Sequence, residues 1–405
     1  MKTKHYTWVI VGVGVLVKMT GLGFGRFAYS MLLPNMRGSL EFNYSQMGLL
    51  SGGILLGYLL FSLIGGMLAT RFGSKRIVVA SLLCSAISMF SMSRFSDFFL
   101  LLAATFTMGA GAGGAHISMT TLPMFWFEKG RLGRAVGIVA GGTGLGILVT
   151  GFLLPPLLVS LGKEAWRGCW MIMAWITFSV AVAGSILLKD RPIGFHPEPE
   201  VPEQKKVTPS PLQGDELTLR MIFLVYFVIG FAYIIYATYF VAYMVEDLKL
   251  REKTAGDIWA IFGWMCMVSG VLWGFLSDRL GRRKSLLWNN GIIALAVFIP
   301  LYFHQTFFLT LSAILFGGTF LGIVTVVAAS VGDQVPEKKA TVYGFLTLIH
   351  GIGQFLGTTI GGYLRDLTGS FLLTFISSLV GFLLCFCLTS LSGKSLRSNA
   401  RLQNR

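Results

Sequence analysis

The chain has 405 residues, of which 54% are hydrophobic and 13% charged, with a formal net charge of +15 and a mean hydropathy of +0.71. Soluble domains carry about a quarter charged residues, so a soluble enzyme or binding module is excluded and the apolar surplus requires lipid. The positive charge is scattered over short connections instead of being gathered on a domain with base-reading motifs, which argues against a nucleic-acid partner.

Apolar stretches of about 20 residues cross a hydrocarbon core of about 30 Å, and they satisfy their own backbone hydrogen bonds there as helices. Twelve are predicted, near 7–30, 45–70, 77–94, 98–122, 133–160, 166–188, 219–245, 256–277, 285–303, 306–331, 340–364 and 371–391. The first follows Lys2 and Lys4 as a signal peptide would. It continues past Lys18 without a small-x-small cleavage site and is read as a retained helix. An even number of spans puts both termini on one side. The N-terminus, the even-to-odd connections and the C-terminus hold most of the 33 Lys and Arg residues, so both termini are expected in the cytoplasm. Cys84, Cys169, Cys266, Cys385 and Cys387 all fall within spans and lack metal-ligand spacing, so they read as packing residues; no metal, cofactor or catalytic residue is expected.

Between Leu188 and Leu217 the chain turns Pro-rich and charged, the composition of a cytoplasmic linker. The expected organisation is a six-helix bundle over 1–188, a linker over 189–218, a second six-helix bundle over 219–393 and a tail over 394–405. Each half carries the same signature after its second span: Gly66-Met-Leu-Ala-Thr-Arg71-Phe-Gly73-Ser-Lys-Arg76, and Gly274-Phe-Leu-Ser-Asp278-Arg279-Leu-Gly281-Arg282-Arg-Lys284. These resemble the G-x-L-x-D-R-x-G-x-[KR]-[KR] loop of the major facilitator superfamily; the second copy matches fully and the first has Thr70 in place of Asp. The resemblance implies an all-α membrane fold of twelve helices in two bundles. It also implies a gating role for Gly66, Arg71, Gly73, Arg76, Gly274, Asp278, Arg279, Gly281 and Arg282, in which a glycine turn holds charges that bridge helix ends.

A second stretch narrows the branch. Phe127-Glu-Lys-Gly-Arg131 leads into Ala135-Val-Gly-Ile-Val-Ala-Gly-Gly-Thr-Gly-Leu-Gly146, then Pro155-Pro156, then Trp166-Arg-Gly168. This looks like the monocarboxylate-porter and oxalate–formate branch of bacterial permeases, as does the ending Gly357-Thr-Thr-Ile-Gly-Gly-Tyr-Leu-Arg-Asp-Leu-Thr-Gly-Ser370. The resemblance implies a secondary transporter of a small organic anion in the bacterial inner membrane, acting as a monomer by alternating access, with proton symport and anion exchange both open as coupling modes.

Ionisable residues inside spans are costly and therefore candidates for function. Lys18 lies near the midplane of the first helix and Arg26 two turns further on, with no Asp or Glu in the midsections of the first six spans to neutralise them. A solute carboxylate would do so, gripped in bidentate fashion by guanidinium and as a point charge by ammonium; the alternative has Arg26 snorkelling and Lys18 paired with backbone carbonyls. His116 and His350 are candidates for proton coupling, against the alternative of neutral, hydrogen-bonded histidines, and His350 and Gln354, one turn beyond it, are also candidates for solute binding. In the seventh span Tyr236, Tyr239 and Tyr243 form one stripe and Tyr226, Tyr233 and Phe240 another; Tyr233 and Tyr236, nearest the midplane, are the expected solute contacts.

The Asp and Arg that monocarboxylate porters place in their eighth helix fall here at Cys266 and Gly270, so that proton pairing does not transfer. A drug or amphipathic-cation exporter is the alternative function. It would require a carboxylate at the midplane, whereas Asp257, Asp278 and Asp333 lie at helix ends.

Overall fold

The computed structural model describes residues 2–127, 129–162, 164–191, 216–334 and 339–391. They form twelve long helices, and among the described residues there is no strand. Helix α1 is built from Lys2–Lys18, a π-helical stretch Met19–Phe27, and Ala28–Leu40. It is followed by α2 (Tyr44–Phe72), α3 (Ser74–Met92), α4 (Phe98–Thr121), α5 (Lys129–Leu161) and α6 (Ala165–Leu187). The last six are α7 (Glu216–Ala242), α8 (Glu252–Leu280), α9 (Arg282–Tyr302), α10 (Thr306–Gln334), α11 (Lys339–Thr368) and α12 (Leu372–Leu391). Most of the expected Pro-rich linker, 192–215, and the tail from 392 lie outside the described residues.

Eleven of the helices are long and apolar enough to cross a membrane by composition alone. The other is α11, in which His350, Gln354, Thr358 and a series of glycines dilute the apolar residues. The first helix was expected to end near residue 30 and instead continues through Pro34 to Leu40. Its polar residues, which read as a helix end, find partners on other helices: Ser30 Oγ donates to Ala237 O at 2.6 Å and Asn35 Nδ2 to Glu252 Oε1 at 2.9 Å.

Near each chain end, hydrogen bonds tie the terminal helix to others of its own half. Tyr6 OH donates to Leu187 O at 2.5 Å, Trp126 Nε1 to Lys189 O at 3.1 Å, and Arg283 Nε to Thr389 O at 3.3 Å. In lipid there is little hydrophobic drive between helices, so close backbone approach and hydrogen bonds hold them. A Cβ on Gly109 would collide with Ile54 O, and one on Gly57 with Phe106 O, so α2 and α4 touch backbone to backbone. Facing outward are exposed Met67, Ile87, Phe99, Val159, Ile186 and Val271, an apolar surface suited to acyl chains.

Both signature loops turn in the same way. Gly73 has φ +90° and Gly281 φ +85°, a region that disfavours any side chain, and each ends one helix and starts the next without further linker. In the complete copy Arg282 Nη1 donates to Asp278 Oδ1 at 2.6 Å and to Ser277 Oγ at 2.7 Å, while Nε reaches Asp333 Oδ2 at 2.8 Å. Arg279 stacks over Phe275 and Arg71 over Phe72, Arg76 is exposed, and Gly66 and Gly274 lie beside Ile117 and Thr325. Where the first copy lacks its Asp, Thr70 Oγ1 turns back to Met67 O, and Asp190 from beyond α6 accepts from Lys75 N at 2.7 Å at the start of α3.

The opposite end is closed by bonds between the first six helices and the last six. Asp366 at the end of α11 accepts from Tyr44 N (2.8 Å), Ser45 N (2.7 Å) and Ser45 Oγ (2.6 Å) at the start of α2. Arg37 pairs with Glu246 at 3.4 Å, and Arg37 and Arg365 both lie over the Tyr44 ring, at 4.6 and 5.2 Å. Arg365 is held in turn by Asp247 at 3.0 Å.

Candidate functional site

Arg26 sits at the far edge of the π-helical stretch, where the Ala28 N–H reaches back to Gly23 O. The wider winding is local to glycines: Gly23 lies against the backbone of Gly146 on α5, an approach that a side chain would block. Such insertions re-aim side chains and recur at functional sites. Here the guanidinium is carried toward the last six helices. Its Nη2 donates to Tyr233 OH at 2.6 Å and to Gln354 Oε1 at 2.7 Å, and its carbon lies 5.2 Å from the Tyr58 ring and 5.3 Å from the Phe27 ring. Arg26 therefore joins α1 and α2 to α7 and α11 at mid-height.

Behind these contacts stands an aromatic stack. The Tyr233 ring is parallel to His350 at 5.3 Å, and His350 to Tyr226 at 4.2 Å. His350 Nδ1 lies 2.9 Å from Tyr226 O; a carbonyl accepts only, so Nδ1 carries the hydrogen. His350 and Gln354 are both buried, and their places on one face of α11 follow from a spacing of four residues.

The charge balance at Arg26 is unusual. Its two partners are neutral, its Nε is buried without a partner, and among the described residues no carboxylate pairs with it. A guanidinium has five N–H donors in a planar fork and Nη2 serves both neighbours, so the remaining donors are suited to a carboxylate. Arg26 also lines a small, water-sized cavity with Phe27, Ser30, Ser51, Leu55 and Thr238, mixing an apolar wall with hydroxyls. The cavity lies between Arg26 and the closed end, as Ser30 lies one turn beyond Arg26 toward Tyr44.

Lys18, expected to share that cavity, is elsewhere. It is 3% exposed, the one fully buried Lys or Arg among the described residues. Its Nζ donates to His116 O (2.9 Å) and Thr120 Oγ1 (2.7 Å) and lies 2.9 Å from His116 Nδ1. Three donors meet three acceptors, so Lys18 has no hydrogen left for a solute; the backbone-carbonyl alternative comes closer, with an imidazole added. Tyr236 also stands apart from Arg26: it is fully buried among Phe240, Phe316 and Phe375, with its OH 2.7 Å from Ser312 Oγ. The 3.6-residue winding of α7 separates the two expected contacts, turning Tyr233 to α1 and Tyr236 into the packing of the last six helices.

Sequence reasoning did not single out Tyr58, Thr120 or the bonds of Asp366, and it placed Tyr226 in a stripe with Tyr233 without giving it a role. Tyr58 lies between Arg26 and the partner of Lys18, its ring 5.2 Å from Arg26 and 5.8 Å from His116. A tyrosine within an otherwise apolar α2 was the available signal. The bonds of Asp366 depend on a partner distant in the chain, and nothing near Asp366 marks that partner.

Comparison with known proteins agrees with this architecture. The family described as "Uncharacterised MFS-type transporter YbfB" matches residues 18–390. The chain is 22% identical over 381 residues to a hexuronate transporter of Bacillus subtilis, covering 85% of each. It is 26% identical over 324 residues to monocarboxylate transporter 13 of Bos taurus, covering 77% of this chain and 72% of that one. In structure it resembles a bacterial homologue of the human lysosomal transporter Spinster, with a TM-score of 0.79 at 15% identity over 96% of this chain and 98% of the other. A twelve-helix fold, a glycine-turn signature in both halves and a match over nearly the whole chain place the protein in the MFS-type transporter family, whose members are transporters and not enzymes.

Proposed function

We propose that the chain is a secondary transporter of a small, monocarboxylate-like organic anion, working by alternating access between two six-helix bundles. The observation that carries this reading is the Arg26 guanidinium at mid-height, whose hydrogen-bond partners Tyr233 and Gln354 are both neutral, whose Nε has no partner and which no carboxylate pairs with among the described residues. A bound carboxylate supplies the missing charge and takes the free donors. The relatives named for hexuronate and for monocarboxylates both carry carboxylated solutes, in keeping with this choice. A cation exporter would require an acid at the level of Arg26, where the contacts are a phenol and an amide. By the positive-inside rule the terminus-bearing end is cytoplasmic, so the bonds of Asp366, Glu246 and Glu252 seal the outer side of an inner membrane.

The test uses purified protein in liposomes and counterflow of labelled lactate, with glucuronate and tetraphenylphosphonium as competitors. Lactate should exchange and be displaced by carboxylates but not by the cation. Arg26→Gln should lower exchange at least 100-fold and Arg26→Lys less, since lysine keeps the charge and loses the fork. Full exchange by a folded Arg26→Gln protein, or displacement by the cation alone, would overturn the assignment.

A further inference from the structure

Lys18 and His116 lie inside the first six helices, and the anion site leaves them without a task. A buried ammonium is expensive to keep unless it acts or is fully compensated. Its hydrogen bonds are complete, yet one of its three acceptors is a nitrogen that itself binds protons, which distinguishes this cluster from an inert cap.

We propose that Lys18 and His116 form a single proton-binding site, and that the proton taken up there is carried together with the anion. This rests on the anion function proposed above and adds the co-substrate. In the resting pair Nζ holds three hydrogens and donates one to the Nδ1 lone pair of His116. One proton from water then adds to that lone pair, making an imidazolium; the Nζ–H···Nδ1 bond loses its acceptor, the two cations repel, and the charge of the pair rises by one. Release to water restores the bond. The N–H bond forms as an O–H bond of hydronium breaks, and release reverses the exchange.

Few other groups around the pair titrate. On α2 the facing group is Tyr58, 5.8 Å from the His116 ring, and on α1 the next charge is Arg26, which acts on His116 as Lys18 does. From α5 comes Gly142, whose lack of a side chain leaves room for Lys18. The ionisable groups that α3 and α6 place inside the membrane are Cys84, bonded to Thr107 O, and Cys169, which lies near Glu252 at the closed end. Among the described residues no carboxylate pairs with Lys18 or His116.

The pair is also wired to the anion site. Lys18 borders one edge of the π-helical stretch and Arg26 lies at the other, so a change of winding in Met19–Phe27 alters both. Tyr58 touches both His116 and Arg26. Two cations on the order of 10 Å apart interact, at an effective dielectric constant of about 20, by enough to change proton binding about tenfold. An anion on Arg26 removes that repulsion, so anion and proton each strengthen the other's binding by that factor.

The experiment uses vesicles containing a pH-sensitive dye, with membrane potential clamped and protein-free vesicles subtracted. An inward lactate gradient should acidify the lumen of wild-type vesicles. His116→Gln should keep lactate exchange within about twofold and lower acidification at least tenfold. Acidification undiminished in a folded His116→Gln protein, or lactate entry without acidification in the wild type, overturns the proposal. Absence of lactate exchange in the wild type counts against the anion function instead, and the pair is then decided by its ¹⁵N-histidine signal in the purified protein. A His116 resonance that moves in Lys18→Met supports it, and an unmoved one overturns it.

Discussion

Replacing Asp366 by alanine removes three hydrogen bonds that exist only while the start of α2 and the end of α11 are together. Two of the donors are the backbone N–H groups of the first two residues of α2, which have no acceptor within their own helix. Asn43 already satisfies Gln46 N, so Asp366 acts as a second cap supplied from the other half of the chain. Loss of a cap costs about 1 kcal/mol. Loss of a carboxylate at a helix N-terminus costs up to about 1 kcal/mol more, as Ser45 is half-buried and water replaces part of the bond. The sum of about 2 kcal/mol shifts the ratio of open to closed states at this end about 30-fold. Asp366→Asn keeps an acceptor and loses the charge, so it should fall midway. Spin labels on Gly38→Cys and Lys253→Cys, both exposed at this end, report the separation by pulsed EPR in a background without the five native cysteines. A graded growth of the long-distance population from wild type through Asn to Ala is expected. An unchanged distance distribution in a folded Asp366→Ala protein would refute the reasoning.

At the terminus-bearing end, Asp278→Asn takes one of the two carboxylates from Arg282, leaving Asp333; solute accessibility of labelled sites at that end should change while the order of preferred solutes does not. Gly109→Val, forced against Ile54 O, should separate α2 from α4, costing about 1–3 kcal/mol or more and lowering the unfolding temperature in detergent.

Much of the fold was legible because lipid enforces it. Apolar length fixed the spans, and an even count with asymmetric Lys and Arg led to the expected topology. The glycine turns at Gly73 and Gly281 could be recognised as repeats because a positive φ restricts what stands there. At the site, Arg26, Tyr233, His350 and Gln354 were named from polarity and helical spacing, and the structure brings them together. Lys18 and Tyr236 were separated from that group by what periodicity cannot express. The π-helical stretch resets the phase of α1 between Lys18 and Arg26, and the direction of a tyrosine on an all-apolar helix depends on which neighbour covers it. Asp366 escaped notice because its partners are backbone N–H groups, present in every sequence.

The composition of α11 has a consequence for synthesis. A helix carrying His350, Gln354 and Thr358 gains little by leaving the translocon for lipid on its own. Its polar atoms are met by groups from α1 and α7, and Gly353 and Gly357 seat it against the backbone of Phe227 and Phe231. Helix α7 is made first, with three more helices emerging before α11 arrives. The nascent chain must therefore keep the groove on α7 vacant through those three insertions, and the step that completes the proposed solute site is also the one that admits its least lipophilic helix to the bilayer.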